Sequence, residues 1–210
     1  EAETYTHQVF DHQQLLRPVV KASFRASPGA IGAMMDKAIR IALEGQPGPV
    51  HVDVPISVAE GDCGEPLSPR PPRLDARRMV AAGPDLAAAR ELLSAALRPL
   101  AIAGVDAVNE GAGAEIADFC RKFNVPLLTS YKAKGLLDEA DALSLGGAGL
   151  SPGADAHLLP LLRQADCILL LGYDPIEMRI NWRAPWPQDA PVVEIACVPR
   201  DHGMHAVRHL

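Results

Sequence analysis

The sequence predicts an α/β fold: a doubly wound parallel sheet flanked by helices, preceded by an incomplete α/β segment. Runs that are apolar on both faces, "PLAIAG" (99–104), "VPLLTS" (125–130), "DCILLLG" (166–172) and "PVVEIAC" (191–197), read as buried strands. The patterns "GAEIADFCRKF" (113–123) and "DAHLLPLLRQA" (155–165) read as helices between them, the alternation that builds parallel βαβ units. The composition agrees, with 48% hydrophobic but only 4% aromatic residues, which is an aliphatic interior.

Taken in order, the first helical pattern is Ile31, Met34, Met35, Ala38, Ile39 and Ala42, and it has to stop at Gly45, Pro47, Gly48 and Pro49. Val50, Val52 and Val54 then alternate with His51 and Asp53 as a strand, which Pro55 ends. The polar stretch upstream is too short to supply the other elements of a layered domain, so residues 1–57 are expected to be the C-terminal part of a domain that begins before Glu1. Strand edges without partners invite association, so this segment is expected to pack on the second unit or on another copy of the chain. "AEGDCGEPLSPRPPR" (59–73) has no apolar periodicity, and residues 58–80 read as a Pro-rich linker. A helix over about 85–97, with Leu86, Ala89, Leu92, Leu93 and Ala96 on one side, opens the second unit, 81–210.

Several function classes are excluded at this stage. A net charge of −6 opposes a nucleic-acid backbone, and the low aromatic content opposes base stacking. No apolar run approaches the length of a membrane span, and Glu1 to Gln8 do not resemble a signal peptide, so the expectation is a cytoplasmic protein. Cys63, Cys120, Cys167 and Cys197 form no C-x-x-C pair, and Cys167 and Cys197 read as small buried hydrophobes within strands. His205 and His209 have helical spacing, with His202 nearby, but no carboxylate or cysteine context supports a metal site.

In an open parallel sheet, ligands sit beyond the carboxyl ends of the strands, where glycine lets backbone approach. The strands here end at Gly104, at Thr129 with Ser130, and at Gly172; with Gly149 and Tyr173 these give the candidate nucleotide-facing positions Gly104, Thr129, Gly149, Gly172 and Tyr173. The fingerprints are incomplete. "GVDAVNEGAG" (104–113) lacks G-x-G-x-x-G spacing, and "GGAGLSPG" (146–153) lacks the Lys-Ser/Thr pair of a P-loop. Glycines that only turn strands into helices are the competing reading.

The order "THQVFDHQQLLRPVVKAS" (6–23), "GPVHVDVP" (48–55), Pro-rich linker and α/β unit resembles the thiamine-diphosphate-dependent 2-oxo acid enzymes, in their acetolactate synthase-like and decarboxylase branch. The resemblance implies that 1–57 is the end of the domain that binds the cofactor's pyrimidine ring, and that 81–210 is the central domain, a six-stranded parallel sheet. It also implies that the catalytic glutamate and the G-D-G to N-N stretch holding Mg²⁺ and the diphosphate belong to segments outside this sequence. Thiamine diphosphate and magnesium would then serve the full-length enzyme without being bound by this chain, and no catalytic residue is expected here. Gln8 falls where the family has a glutamine near the active-site channel. The expected partners are the remaining thiamine-binding domains of the same polypeptide and further copies in a homo-oligomer.

Some relatives bind FAD in the central domain, some bind the ADP part of coenzyme A, and some bind nothing. The flavin branch carries G-x-R-F-D-D-R, whereas this chain has "GYDPIEMRINW" (172–182), which is similar to the flavin-free catabolic acetolactate synthases. The departure weighs against FAD, since a guanidinium for the diphosphate is missing and Asp174 would repel it. The competing function is a free-standing module over 75–200 that binds FAD, ADP or coenzyme A.

Overall fold

The computed structural model describes residues 9–62, 82–179, 182 and 184–197. Gln8, Cys63, the three C-terminal histidines and most of the Pro-rich stretch lie outside these residues. The chain divides into two compact units, Glu1–Arg77 and Arg78–Leu210.

In the first unit, helix α1 (His12–Leu16) starts at Asp11, whose carboxylate accepts the Gln14 N–H at 2.8 Å. Strand β1 (Ala22–Arg25), helix α2 (Ile31–Leu43) and strand β2 (Val50–Asp53) then form one βαβ unit, with β1 and β2 parallel. In register, Phe24 pairs with Val52, and Lys37 of α2 lies 5.9 Å from the Phe24 ring centroid, so the helix covers that face. Ser23 and Arg25 point to the other face with His51 and Asp53, and Ser23 Oγ is hydrogen-bonded to His51 Nδ1 at 2.7 Å.

Helix α2 ends where glycine and proline predicted. Gly45 takes a φ of +57°, which glycine adopts at little cost, and the Lys21 ammonium donates to the carbonyls of Glu44 and Gln46. Val50 and Val52 lie in β2 as expected, but Val54 falls after it and is half exposed. A short helix α3 (Ile56–Ala59) follows.

The second unit contains α4 (Pro84–Ala95), β3 (Pro99–Ala103), α5 (Val105–Asn109), α6 (Gly113–Phe123), β4 (Leu127–Ser130), β5 (Ser144–Ala148), α7 (Pro152–Leu162), β6 (Cys167–Leu171) and β7 (Val192–Ile195). Among the described residues its five strands are all parallel, in the order β5-β4-β3-β6-β7, against the six that the resemblance implies for the whole domain. The predicted fold class is therefore observed.

Because strand side chains alternate, each strand supplies both faces of the sheet. Leu100, Ile102, Leu128, Ile168, Leu170 and Val192 belong to one buried cluster, joined by Leu158, Leu159 and Leu162 of α7 and by Tyr173, Met178, Trp182 and Trp186. Ala101, Ala103, Leu127, Leu169, Leu171 and Val193 belong to the other, against Leu92 and Leu93 of α4 and Ile116, Ala117 and Cys120 of α6. One face is thus covered by helices and the other by a helix plus an aromatic loop.

Two carboxylates clip loops onto this sheet. Asp166 accepts the N–H groups of Leu97 (2.8 Å) and Arg98 (2.9 Å), and Asp141 accepts the Leu143 N–H and the Arg121 Nε–H, each at 3.0 Å. The Leu143 N–H and then the Arg121 guanidinium hold the Asp141 carboxyl below its ordinary range. Desolvation would raise Asp166, but the bonds from Leu97 and Arg98 outweigh it, and its carboxyl is also held low. A carboxyl depressed on folding contributes stability above its unfolded pKa, and that contribution is lost as pH falls through the folded pKa. Acid titration of the midpoint of unfolding is therefore expected to be shallower below pH ~4 in D141N/D166N than in the wild type. Parallel curves would contradict this.

Cys120 and Cys167 are buried, whereas Cys197 is exposed. This corrects the expectation for Cys197: β7 ends at Ile195, so the thiol lies past the buried part of the run. Burial pushes the Cys120 thiol up to about 11, with the Asp141 charge adding to the rise. Burial raises Cys167 as well, helped by Asp166. Iodoacetamide followed by peptide mapping is expected to modify Cys197 in the native protein, and Cys120 and Cys167 only after denaturation. Native modification of Cys120 would contradict the packing described.

Candidate functional site

The strand order reverses between β3 and β6, and the chain leaves these two neighbours in opposite directions, toward β4 and toward β7. This switch point is where an open α/β sheet has its crevice. Gly104 follows β3 and precedes α5; its N–H donates to the Leu171 carbonyl at 3.0 Å. A Cβ on Gly104 would sit 2.5 Å from both the Gly172 oxygen and Tyr173 Cα, and 2.8 Å from Glu177 Oε1. Gly172, after β6, has a φ of +54°, and a Cβ there would lie 2.5 Å from the Ala107 nitrogen. The two glycines let the two strand ends touch, leaving no width between their backbones.

The remaining space is taken by a carboxylate. Glu177 closes a 3₁₀ turn (Pro175–Glu177) whose capping box has the Asp174 carboxylate accepting the Ile176 N–H at 3.0 Å, while Glu177 Oε1 accepts the Asp174 N–H at 3.3 Å. From there its carboxylate reaches the first residue of α5, accepting the Val105 N–H at 3.0 Å on Oε1 and 3.2 Å on Oε2. Ser130 at the end of β4, fully buried, donates its hydroxyl to Oε2 at 2.5 Å. Donors from three elements converge on one half-buried side chain.

The other candidate positions lie around this centre. Thr129 is buried, and its hydroxyl donates to the Gly146 carbonyl at 3.4 Å, toward β5. Gly149 has a φ of +94°, donates its N–H to buried Asp155 at 2.8 Å, and accepts the Arg179 N–H at 3.2 Å. A Cβ on Gly149 would fall 1.9 Å from Met178 Sδ, so the segment after Glu177 rests on this glycine. Tyr173 is wholly buried in the core, and its hydroxyl has no hydrogen-bond partner among the described residues. Burial raises the Tyr173 phenol pKa, with the Glu177 and Asp174 carboxylates adding to the rise.

Gly104, Gly172 and Tyr173 are thus brought together, Gly149 supports the same loop from beside it, and Thr129 faces away toward β5. Glu177 and its bond to Ser130 were not singled out from sequence. The signal was present, because D-P-I-E (174–177) is a D-x-x-E capping box with proline at its first position.

The fold and its switch point define a doubly wound parallel α/β unit in which Glu177 bonds across the central strand ends. Residues 86–209 match the family model described as thiamine pyrophosphate enzyme, central domain. The chain belongs to the thiamine-diphosphate-dependent 2-oxo acid enzymes. It is 27% identical over 210 residues to an oxalyl-CoA decarboxylase of Escherichia coli K12, which aligns 93% of this chain with 34% of that protein. It is 33% identical over 153 residues to an acetolactate synthase of Arthrospira platensis, covering 70% of this chain and 26% of that protein. A probable 2-ketoarginine decarboxylase of Pseudomonas aeruginosa is 28% identical over 196 residues, 92% of this chain and 34% of its own length. The chain therefore spans about a third or less of the relatives it matches.

Family members use thiamine diphosphate. Among the described residues there is no group of three or more His, Cys, Asp or Glu that could hold a metal ion. No described helix is long and apolar enough to cross a membrane.

Proposed function

We propose that this chain is part of a thiamine-diphosphate- and magnesium-dependent 2-oxo acid decarboxylase or acetolactate synthase-like carboligase, in which residues 82–197 serve as architecture. The match of 86–209 to the central-domain model carries this reading. The cofactor-binding groups would come from other domains of the same polypeptide, and Gln8 would lie near the channel they form. A catalytic site of this kind depends on holding cofactor and substrate in a fixed orientation, so a chain that supplies only the framework supplies none of the rate.

The experiment is turnover by the 210-residue chain given thiamine diphosphate, Mg²⁺ and, in turn, pyruvate, benzoylformate and oxalyl-CoA. No carbon dioxide release is expected from any of them, whereas the longer protein that contains the chain releases it from one. Release by the chain alone would overturn the reading. The same reading makes further copies partners, because Leu15, Val19, Val54 and Ile56 of the first unit are exposed. Light scattering is expected to show more than one chain per particle, and a strict monomer would contradict that.

A further inference from the structure

We infer that Glu177 is a built-in substitute for a ligand phosphate: its carboxylate closes the switch-point crevice, so this unit accepts no nucleoside diphosphate or dinucleotide at the strand ends. In dinucleotide-binding sheets the diphosphate lies against the turn after the central strand, on free backbone N–H groups. Here the equivalent turn is Gly104–Val105, and the Val105 N–H is committed to both oxygens of Glu177. The other groups that could bind an anion there, the Ser130 hydroxyl and the Asp174 N–H, are committed to the same carboxylate.

Displacement by a ligand is opposed on three counts. The carboxylate is fixed by its own capping box, so releasing it also undoes the turn at Asp174. A diphosphate arriving beside it would meet like charge from Glu177 and from buried Asp174. Finally, Gly104 and Gly172, which in a binding site would give a ligand room, are used here to bring backbone against backbone. A free-standing FAD, ADP or coenzyme A module is thereby disfavoured on the geometry of the crevice. The inference does not depend on which reaction the full-length enzyme performs.

The experiment compares thermal unfolding of the wild-type chain, E177A and E177Q in chloride, acetate, inorganic phosphate, ADP and FAD, each anion referred to its effect on the wild type. ADP and FAD are expected to leave the wild-type midpoint unchanged. Both variants are expected to unfold at lower temperature, since a carboxamide of the same shape cannot accept every donor. Acetate or phosphate is expected to restore most of the E177A loss and little of the E177Q loss, because only alanine leaves the space open. A wild-type midpoint raised by ADP or FAD would overturn the inference, and so would an E177Q as stable as the wild type. An E177A whose loss no anion recovers would reduce Glu177 to a loop clip and overturn it too. If E177A does not fold, the wild-type and E177Q arms still decide.

Discussion

Gly104→Ala is expected to cost about 3 kcal/mol of folding stability, the upper end for an overpacked interior. The φ of −115° at Gly104 is open to any residue, so the cost is steric alone. The added methyl would meet the Gly172 oxygen and Tyr173 Cα, both backbone atoms of the two residues that follow β6, at 2.5 Å. Neither can rotate away as a side-chain tip would. Relief would require parting β3 from β6, which pair along their whole length from Pro99 with Cys167 to Ala103 with Leu171. Gly83→Ala provides the control, because nothing lies within 4 Å of a Cβ there and its φ of 171° is extended. Because Gly83 is the N-cap of α4 and alanine is the poorer cap, that change is expected to cost about 1 kcal/mol, with no steric part. Denaturant unfolding with a common m-value measures both, and a Gly104→Ala as mild as the control would mean that the strand ends stand apart.

Trp182→Ala is expected to cost about 3–5 kcal/mol, as for a large aromatic removed from a close-packed core. Trp182 is 1% exposed and belongs to the cluster with Leu100, Ile102, Leu170, Tyr173 and Trp186. It lies on the face covered by α7 and the aromatic loop, and the cost depends on how far these can close over the gap. Trp182→Phe separates packing from polarity. The indole N–H has no hydrogen-bond partner among the described residues, and removing a buried donor without a partner offsets part of the lost volume. A cost of about 1 kcal/mol or less is expected for phenylalanine. If phenylalanine proved as damaging as alanine, the indole N–H would have a partner and the packing account would fail.

What could be read from the sequence follows from how each element is stabilised. β6, "CILLL" (167–171), is buried on both faces and carries its own signal, and α6 shows its apolar stripe of Ile116, Ala117 and Cys120. β5, "SLGGA" (144–148), is not among the predicted strands, and its glycines enter the sequence reading only through the P-loop comparison over 146–153. Its pairing shifts register between Leu127 and Leu128, and Gly146 takes a φ of +86° there, so the glycines that hid the strand are what form its irregularity. β1, "ASFR" (22–25), escaped because only Phe24 is a large hydrophobe, and the strand is recognisable from its partner β2. The glycines of the candidate site were legible, because close backbone approach demands them. Which atoms would fill the crevice was not, since Glu177 is distant in sequence from the Val105 and Ser130 groups it binds.

Amide hydrogen exchange at Val105 tests the central claim most directly. As the first residue of α5, Val105 has no carbonyl within its own helix to accept its N–H, so protection there has to come from Glu177. The account predicts that the wild-type Val105 amide exchanges as slowly as those of β3, and that E177Q weakens this protection while the β3 amides stay slow. A wild-type Val105 amide exchanging at the rate of an exposed peptide would contradict a crevice closed by the protein's own carboxylate.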